Sequence, residues 1–214
     1  MVSASLEILG MVLSILGWLM EMLACGLPMW KVNAYLSANI VVSQSLQQGL
    51  WMSCVAQSTG QMQCKTYDSV LGLHRDLQLA RAMTVLSSVL GALGLLITVA
   101  GAQCTKCVPD ESNKARIVNA GGVIFIISGL FVLVPVCWMA NSIIAEFNDP
   151  MVSDHQKQEM GASIYIGWAA SALLVAGGAV LCCSCPNRQA RFSAKYAAPK
   201  RTVQNGDYDK KNYV

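Results

Sequence analysis

Long apolar stretches alternate with polar segments along this chain of 214 residues. A helix needs about 20 apolar residues to cross the hydrocarbon core of a bilayer. Stretches of that length with few charges cover residues 8–27, 82–102, 117–140 and 161–183. Because the backbone inside lipid must hydrogen-bond within its own segment, such stretches form helices rather than open strands. The pattern therefore predicts four membrane-spanning helices.

The segments between these spans differ in length and in basic residues. Residues 28–81 form a long segment, and residues 141–160 form a shorter acidic one in which Lys157 is the only Lys or Arg. Basic residues are more frequent in the short segment 103–116 and in the tail 187–214. Since basic segments stay in the cytosol, we predict cytosolic N- and C-termini and a multi-pass membrane protein whose other two segments face outward.

The composition changes this picture little. Hydrophobic residues make up 54% of the chain and charged residues 13%, about half the charged fraction of a typical soluble domain. The net charge of +3 sums over both sides of the membrane, so it predicts no nucleic-acid partner. The lipid bilayer is the first partner that the sequence implies.

The long outward segment has the pattern of a small β-sheet. Its apolar, aromatic and β-branched runs cover residues 30–32, 40–42, 50–55 and 62–67. Turn-forming residues separate these runs at positions 37–39, 47–49 and 58–60. Alternating runs and turns of this kind predict antiparallel strands. The sequence therefore predicts a membrane α+β protein, with a helical bundle and an extracellular antiparallel sheet.

Cys54 and Cys64 flank the last of these turns. The two runs joined by that turn would form a hairpin, which brings the two thiols near each other for a cross-strand disulfide. Disulfides persist outside the cytosol, which agrees with the orientation predicted from the basic residues. The alternative is a metal pair, but His74 and His155 are isolated in sequence and no further outward cysteine completes a site. We predict a disulfide and no metal.

The remaining cysteine clusters lie at the predicted cytosolic ends of the spans. The candidates for S-palmitoylation are Cys104, Cys107, Cys182, Cys183 and Cys185. Juxtamembrane cysteines are common palmitoylation sites, and this reading accounts for both clusters at once. Unmodified thiols, a zinc site and a thiol oxidoreductase that uses the C-x-x-C pair are the alternatives.

The sequence favours a protein that is not an enzyme and has no cofactor. It lacks a Ser/His/Asp arrangement, an H-E-x-x-H motif and a phosphate-binding glycine loop. Its span glycines suit close helix packing instead. Glu21, near the outward end of the first span, is either a carboxyl that faces the bundle or a proton or ion site.

Trp30, the tripeptide Gly49-Leu50-Trp51, Cys54, Cys64 and Arg81 together resemble the signature of the claudin family of tight-junction proteins. The similarity covers residues 6–186. It implies a left-handed four-helix bundle under a five-stranded sheet, with four strands from segment 28–81 and one from segment 141–160. The bundle and sheet would form one domain over residues 1–186, followed by a disordered tail over residues 187–214. The tryptophans would seat the sheet at the membrane surface, as amphipathic rings do.

The same resemblance implies partners and a location in the plasma membrane. Claudins polymerise side by side with other claudins in cis and meet claudins of the opposing cell in trans, at the tight junction. Val70 would dock against the Phe147 region of a neighbour, and the terminal Tyr213-Val214 would bind PDZ domains of zonula occludens scaffold proteins. The Asn-Pro-Leu-Val pattern that binds a bacterial enterotoxin is replaced here by Asp149-Pro150-Met151-Val152, which argues against toxin binding.

Lys65 stands where cation-conducting claudins carry a carboxylate. A fixed positive charge in a narrow pore repels cations, so the resemblance implies a paracellular barrier that weakly favours anions. Asp68, three residues later, would reduce that charge. Two other functions are compatible with the sequence, an auxiliary subunit of an ion channel in the same four-span superfamily and a membrane thiol enzyme that depends on Cys104 and Cys107.

Overall fold

The computed structural model describes residues 2–35, 44–57, 59–69, 75–102, 111–151 and 157–184. Several of the residues singled out above lie outside these ranges: Val70, His74, Cys104, Cys107, Val152, His155, Cys185, Tyr213 and Val214. The helices are α1 (Val2–Gly26), α2 (Arg75–Gly101), α3 (Glu111–Asn148) and α4 (Ala162–Ser184). Within the described residues, all four are long and apolar enough to cross a membrane.

The helices form a bundle in which α1 packs on α4 and α2, and α3 packs on α2 and α4. Small residues allow close approach at these contacts. A Cβ atom at Gly177 of α4 would lie 2.4 Å from the Ser14 hydroxyl of α1, and one at Gly178 would lie 2.5 Å from the Gly122 carbonyl of α3. The lipid-facing positions are exposed Leu, Val and Ile side chains.

Three helices extend further than the apolar stretches that predicted them, and α1 does so by beginning at Val2. Helix α3 has 38 residues, which at about 1.5 Å per residue makes it roughly 57 Å long, against a hydrocarbon core of about 30 Å. It continues through Asn148, so the first eight residues of segment 141–160 are helical rather than loop. Helix α2 begins at Arg75, which places Arg81 in its second turn. Hydropathy marks only the part of a helix that lipid covers, and protein contacts stabilise the rest.

The strands are β1 (Lys31–Tyr35), β2 (Gln44–Gln48), β3 (Met52–Gln57), β4 (Met62–Thr66) and β5 (Glu159–Met160). They form one antiparallel sheet in the order β4-β3-β2-β1-β5. Four strands come from the long segment and one from the shorter segment. This confirms the prediction of a membrane α+β fold with a small antiparallel sheet.

One strand differs from its prediction. Gln47 and Gln48 belong to β2 and pair with Val32 and Lys31, whereas the sequence assigned them to a turn. The apolar run at residues 40–42 lies outside the described residues. Glutamine has no strong intrinsic preference for strands, but in the middle of a sheet its backbone completes both ladders, so tertiary context overrides propensity.

Candidate functional site

The sheet meets the bundle at a seam formed by Trp30, the Gly49–Trp51 turn, Tyr67 and Arg81. The turn links β2 to β3, and the Gly49 N–H donates to the Met52 carbonyl at 2.9 Å. A Cβ atom at Gly49 would lie 2.4 Å from the Pro28 Cα. Only glycine therefore fits where the turn crosses the chain segment that leaves α1.

Trp30 and Leu50 form the buried part of the sheet–bundle seam. Trp30 is 1% exposed and Leu50 is fully buried, and both belong to the main apolar core. The Trp30 indole N–H donates to the Ala24 carbonyl at 2.9 Å. Trp30 thus lies inside the protein, which differs from its expected location in the headgroup zone.

The acceptor of this hydrogen bond explains why the indole is needed. Ala24 lies in the last turn of α1, where its carbonyl would accept from the N–H of residue 28 if the helix continued. Residue 28 is proline and has no N–H. Trp30 supplies the missing donor, so it caps α1 while its ring fills the core under the sheet.

Arg81 closes the other side of the sheet–bundle seam. It is buried, and its Nε–H donates to the Leu50 carbonyl. Its guanidinium carbon lies 5.1 Å from the centre of the Trp51 ring and 5.3 Å from that of the Tyr67 ring. Cation–π contacts of this kind contribute about 0.5–2 kcal/mol each, more when they are desolvated. Arg81 therefore contacts both the backbone of the turn, at Leu50, and the aromatic side chain of Trp51.

Tyr67 completes this arrangement and was not singled out from the sequence. Its hydroxyl donates to the Gly49 carbonyl at 3.1 Å. Burial raises the pKa of the Tyr67 phenol, and the positive charge of Arg81 acts in the opposite direction. The phenol is the hydrogen-bond donor that the Gly49 carbonyl requires. The signal in the sequence was its place directly after strand β4, but only the fold brings it to the turn.

The hairpin of β3 and β4 extends away from the sheet–bundle seam. Cys54 and Cys64 are directly opposed in its register and form a disulfide, which confirms that prediction. Gly60 has φ +81°, a conformation that favours glycine, and its N–H donates to the Gln57 carbonyl at 2.9 Å. The disulfide contributes about 2–4 kcal/mol to the stability of such a small sheet.

Lys65 and Asp68 lie at the edge of the sheet. The Lys65 Nζ is 2.6 Å from an Asp68 carboxylate oxygen, and both side chains are more than 70% exposed. Lys65 pairs with Ser53 of β3, so both point to the same face of the sheet as Val55 and Gln63. The positive charge of Lys65 therefore faces solvent with a carboxylate in contact.

Apolar side chains at the sheet end of α3 and just beyond it are exposed to solvent. Phe147 is 51% exposed and Met151 is 92% exposed. The Lys157 Nζ lies 5.1 Å from the centre of the Phe147 ring. About 100° around the helix axis from Phe147, Glu146 forms an ion pair with Lys31 of β1. Neither lysine was linked to α3 by sequence reasoning, because each contact joins distant parts of the chain.

Glu21 faces the interior of the bundle and is 1% exposed. The Ser88 hydroxyl of α2 donates to one carboxyl oxygen at 3.3 Å, and the second oxygen has no hydrogen-bond partner within the described ranges. Nearby, the hydroxyls of Ser87 in α2 and Ser128 in α3 lie 2.9 Å apart. These serines, which the sequence did not single out, make a polar layer within the bundle.

The described cysteines of the predicted palmitoylation set lie in the last turn of α4, at the end of the bundle away from the sheet. Both are free thiols, with Cys183 exposed and Cys182 half-buried. The Cys182 thiol is 3.8 Å from the Asn119 carbonyl of α3. No group of three or more metal-ligating side chains is found in the part of the chain that the structure describes.

Comparison with known proteins gives this geometry a family context. A sequence profile of the PMP-22/EMP/MP20/claudin family matches residues 4–181. Human Claudin-5 is 56% identical over 216 residues, which cover 99% of each chain. Claudin-4 of Canis lupus familiaris is 54% identical over 209 residues, covering 97% of this chain and all of that protein. A Danio rerio protein named Claudin-like protein ZF-A89 is 53% identical over 201 residues, covering 94% and 97%.

Proposed function

Because the chain belongs to the PMP-22/EMP/MP20/claudin family, we propose that it polymerises into strands that seal the paracellular space. Family membership makes it a multi-pass membrane protein of tight junctions and not an enzyme. The finer proposal is that copies associate side by side in cis and meet other claudins in trans, with both termini in the cytosol.

The observation that carries this proposal is the rigid attachment of the sheet to the bundle. Arg81, Trp30 and the Gly49–Trp51 turn hold it at a buried junction. Beside it, Phe147 at the end of α3 and Met151 just after the helix are exposed to solvent. Exposed apolar side chains on a fixed support are suited to contacts between proteins. In our proposal, Phe147 meets a neighbour near its Val70.

Expression in fibroblasts that lack junctions tests strand formation. Freeze-fracture images of cell contacts should show continuous strands for the wild-type chain. A Cys54→Ser/Cys64→Ser variant, which loses the disulfide of the sheet, serves as the control and should give few strands at equal surface amount. Contacts without strands in wild-type cells would refute polymerisation, and co-purification with a pore protein would then favour a channel subunit.

For ion selectivity, we propose a barrier that weakly favours chloride over sodium. The positive charge of Lys65 supports a preference for the anion, and its contact with the Asp68 carboxylate keeps that preference small. In epithelial monolayers, Lys65→Asp should raise the sodium-to-chloride permeability ratio, because two carboxylates would then stand together. Asp68→Asn should lower the ratio, because Lys65 would keep its full charge. Unchanged ratios in both variants would contradict the proposal.

Two proposals concern the cytosolic side. Tyr213-Val214 would bind PDZ domains of zonula occludens scaffolds by adding a strand to the domain's groove, and a Val214→Asp tail peptide should lose this binding.

Cys182, Cys183 and the cysteines at positions 104, 107 and 185 would carry palmitoyl groups. Hydroxylamine-dependent mass tagging should label the wild-type chain and fail to label a variant with serine at all five positions.

A further inference from the structure

An ion pair joins the sheet to the sheet end of α3. The Nζ of Lys31, on β1, lies 3.9 Å from a carboxylate oxygen of Glu146. The Lys31 side chain is 7% exposed and that of Glu146 is 41% exposed. Lys31 also pairs with Met160 of β5 in the strand register. The ion pair therefore ties together the first outward segment, the second outward segment and a helix of the bundle.

Glu146 and Phe147 are neighbours in the last turn of α3 but point in different directions. Ile143, one turn before Glu146, is 2% exposed and packs in the core. Glu146 lies above it and meets Lys31, whereas Phe147 is 51% exposed. Successive helix residues are about 100° apart around the axis. The attachment of Glu146 to β1 therefore determines where Phe147 faces.

We propose that Lys31 and Glu146 are a positioning pair that fixes the rotation of the last turn of α3 and thereby aims Phe147 at a neighbouring copy. This rests on the proposed lateral polymerisation, since Phe147 is the contact being aimed. The pair adds an orientation requirement to this lateral contact, because Phe147 must face the neighbouring copy as well as be exposed.

The surroundings of the pair explain why the charges matter. A lysine buried to this degree needs a nearby counter-charge, and Glu146 is the carboxylate that forms an ion pair with it among the described residues. The Glu146 oxygen in this pair has no hydrogen-bond partner in the described part of the chain, so the Lys31 charge is its main attraction. The last carbonyls of a helix also lack intrahelical partners. Without the pair, the turn beyond Ile143 loses its charge contact with the sheet and unwinds or rotates more easily.

The test is energy transfer between two differently labelled copies of the full-length chain in junction-free cells, divided by surface amount. The informative variant is Glu146→Gln, which keeps the shape and removes the charge of a half-exposed side chain. Lys31→Glu and Glu146→Lys reverse the charges singly and together, and Lys31→Arg conserves the charge. Glu159→Gln is the matched control, because it removes the same charge from an exposed side chain of β5.

We expect Glu146→Gln to reach the surface at wild-type levels and to lose at least half of the normalised energy transfer. Amide exchange of residues 144–148 should become faster in this variant. Lys31→Arg should keep the wild-type transfer, the double charge reversal should recover what its single variants lose, and Glu159→Gln should leave the transfer unchanged. The charge pair is refuted if Glu146→Gln transfers energy like the wild type, or if the double reversal transfers no more than its singles when all reach the surface equally.

A purely structural role gives a different result. Reduced surface amount or a lower melting temperature in Glu146→Gln, with normalised energy transfer unchanged, would overturn positioning. Failure of the proposed function is separable as well. Wild-type copies that transfer no more energy than labelled chains of an unrelated four-span protein would refute lateral polymerisation itself, whatever the variants do.

Discussion

The indole of Trp30 offers the sharpest test of how the sheet is seated. Trp30→Phe keeps an aromatic ring in the core and removes the N–H that caps the Ala24 carbonyl. Leaving a buried carbonyl without a donor costs about 1–3 kcal/mol, and the smaller ring leaves a void. We expect a total loss of about 2–3 kcal/mol, because Trp30 is almost fully buried. For a domain of this size the melting temperature should fall by about 4–12 °C.

The cause of this loss can be isolated with Pro28. In a Pro28→Ala background residue 28 regains an N–H, so α1 can add one hydrogen bond to Ala24 without the indole. Trp30→Phe should then cost about 1–2 kcal/mol less than in the wild-type background, as expected for coupled neighbours. The assay is thermal unfolding of all four purified chains in the same detergent, followed by size-exclusion chromatography. An equal loss in both backgrounds would refute the capping role of Trp30.

A second tryptophan provides the control for these measurements. The Trp51 N–H donates at 3.4 Å to the thiol sulfur of Cys25, which is a weak acceptor, and its side chain is 42% exposed. Trp51→Phe keeps a ring for Arg81 to stack on and should cost less than about 1 kcal/mol. A loss as large as that of Trp30→Phe would show that ring size, and not the hydrogen bond, dominates both substitutions.

Three further predictions use the same melting assay. Gly49→Ala should lower stability by about 1–3 kcal/mol, because its Cβ would meet the backbone of Pro28; an unchanged melting temperature would mean that the turn is not tightly seated. Cys54→Ser/Cys64→Ser should lower the free energy of unfolding by about 2–4 kcal/mol, and a reducing agent should lower that of the wild type equally. If the reagent destabilises the double variant as much as the wild type, its effect does not come from this disulfide. Glu21→Gln keeps a hydrogen-bond acceptor for Ser88 and should melt within about 2 °C of the wild type; a large drop would mean that the carboxyl is needed for more than that bond.

The features predicted correctly from the sequence are those set by short stretches of chain. The apolar spans identify the helices because lipid selects for composition over 20 or so consecutive residues. The Cys54–Cys64 disulfide follows from a hairpin whose turn and strands are adjacent in sequence. Gly60 in that turn has the positive φ that such turns require. Local chemistry was sufficient in each case.

The features missed are those that depend on distant partners. Strand β2 consists mainly of polar residues, and its position is set by pairing with β1 and β3. Helix α3 continues past its apolar span, where Ile143 packs in the core and Glu146 meets Lys31. The Ala24 carbonyl is capped because Pro28 has no N–H and Trp30 supplies the donor in its place. None of these contacts leaves a periodic signal in the sequence.

The connections between sheet and helices determine how the protein carries mechanical load. Four residues separate the end of α1 from the start of β1, and Gly161 alone separates β5 from α4. At Gly161 a Cβ atom would overlap the Met29 carbonyl. The segment that joins α1 to β1 is therefore in direct contact with the one that joins β5 to α4. Tension applied to the sheet would therefore pass first into α1 and α4, which pack closely on each other. The other two helices would bear it through Arg81 and the Lys31–Glu146 pair, side contacts that can yield while the main attachment holds.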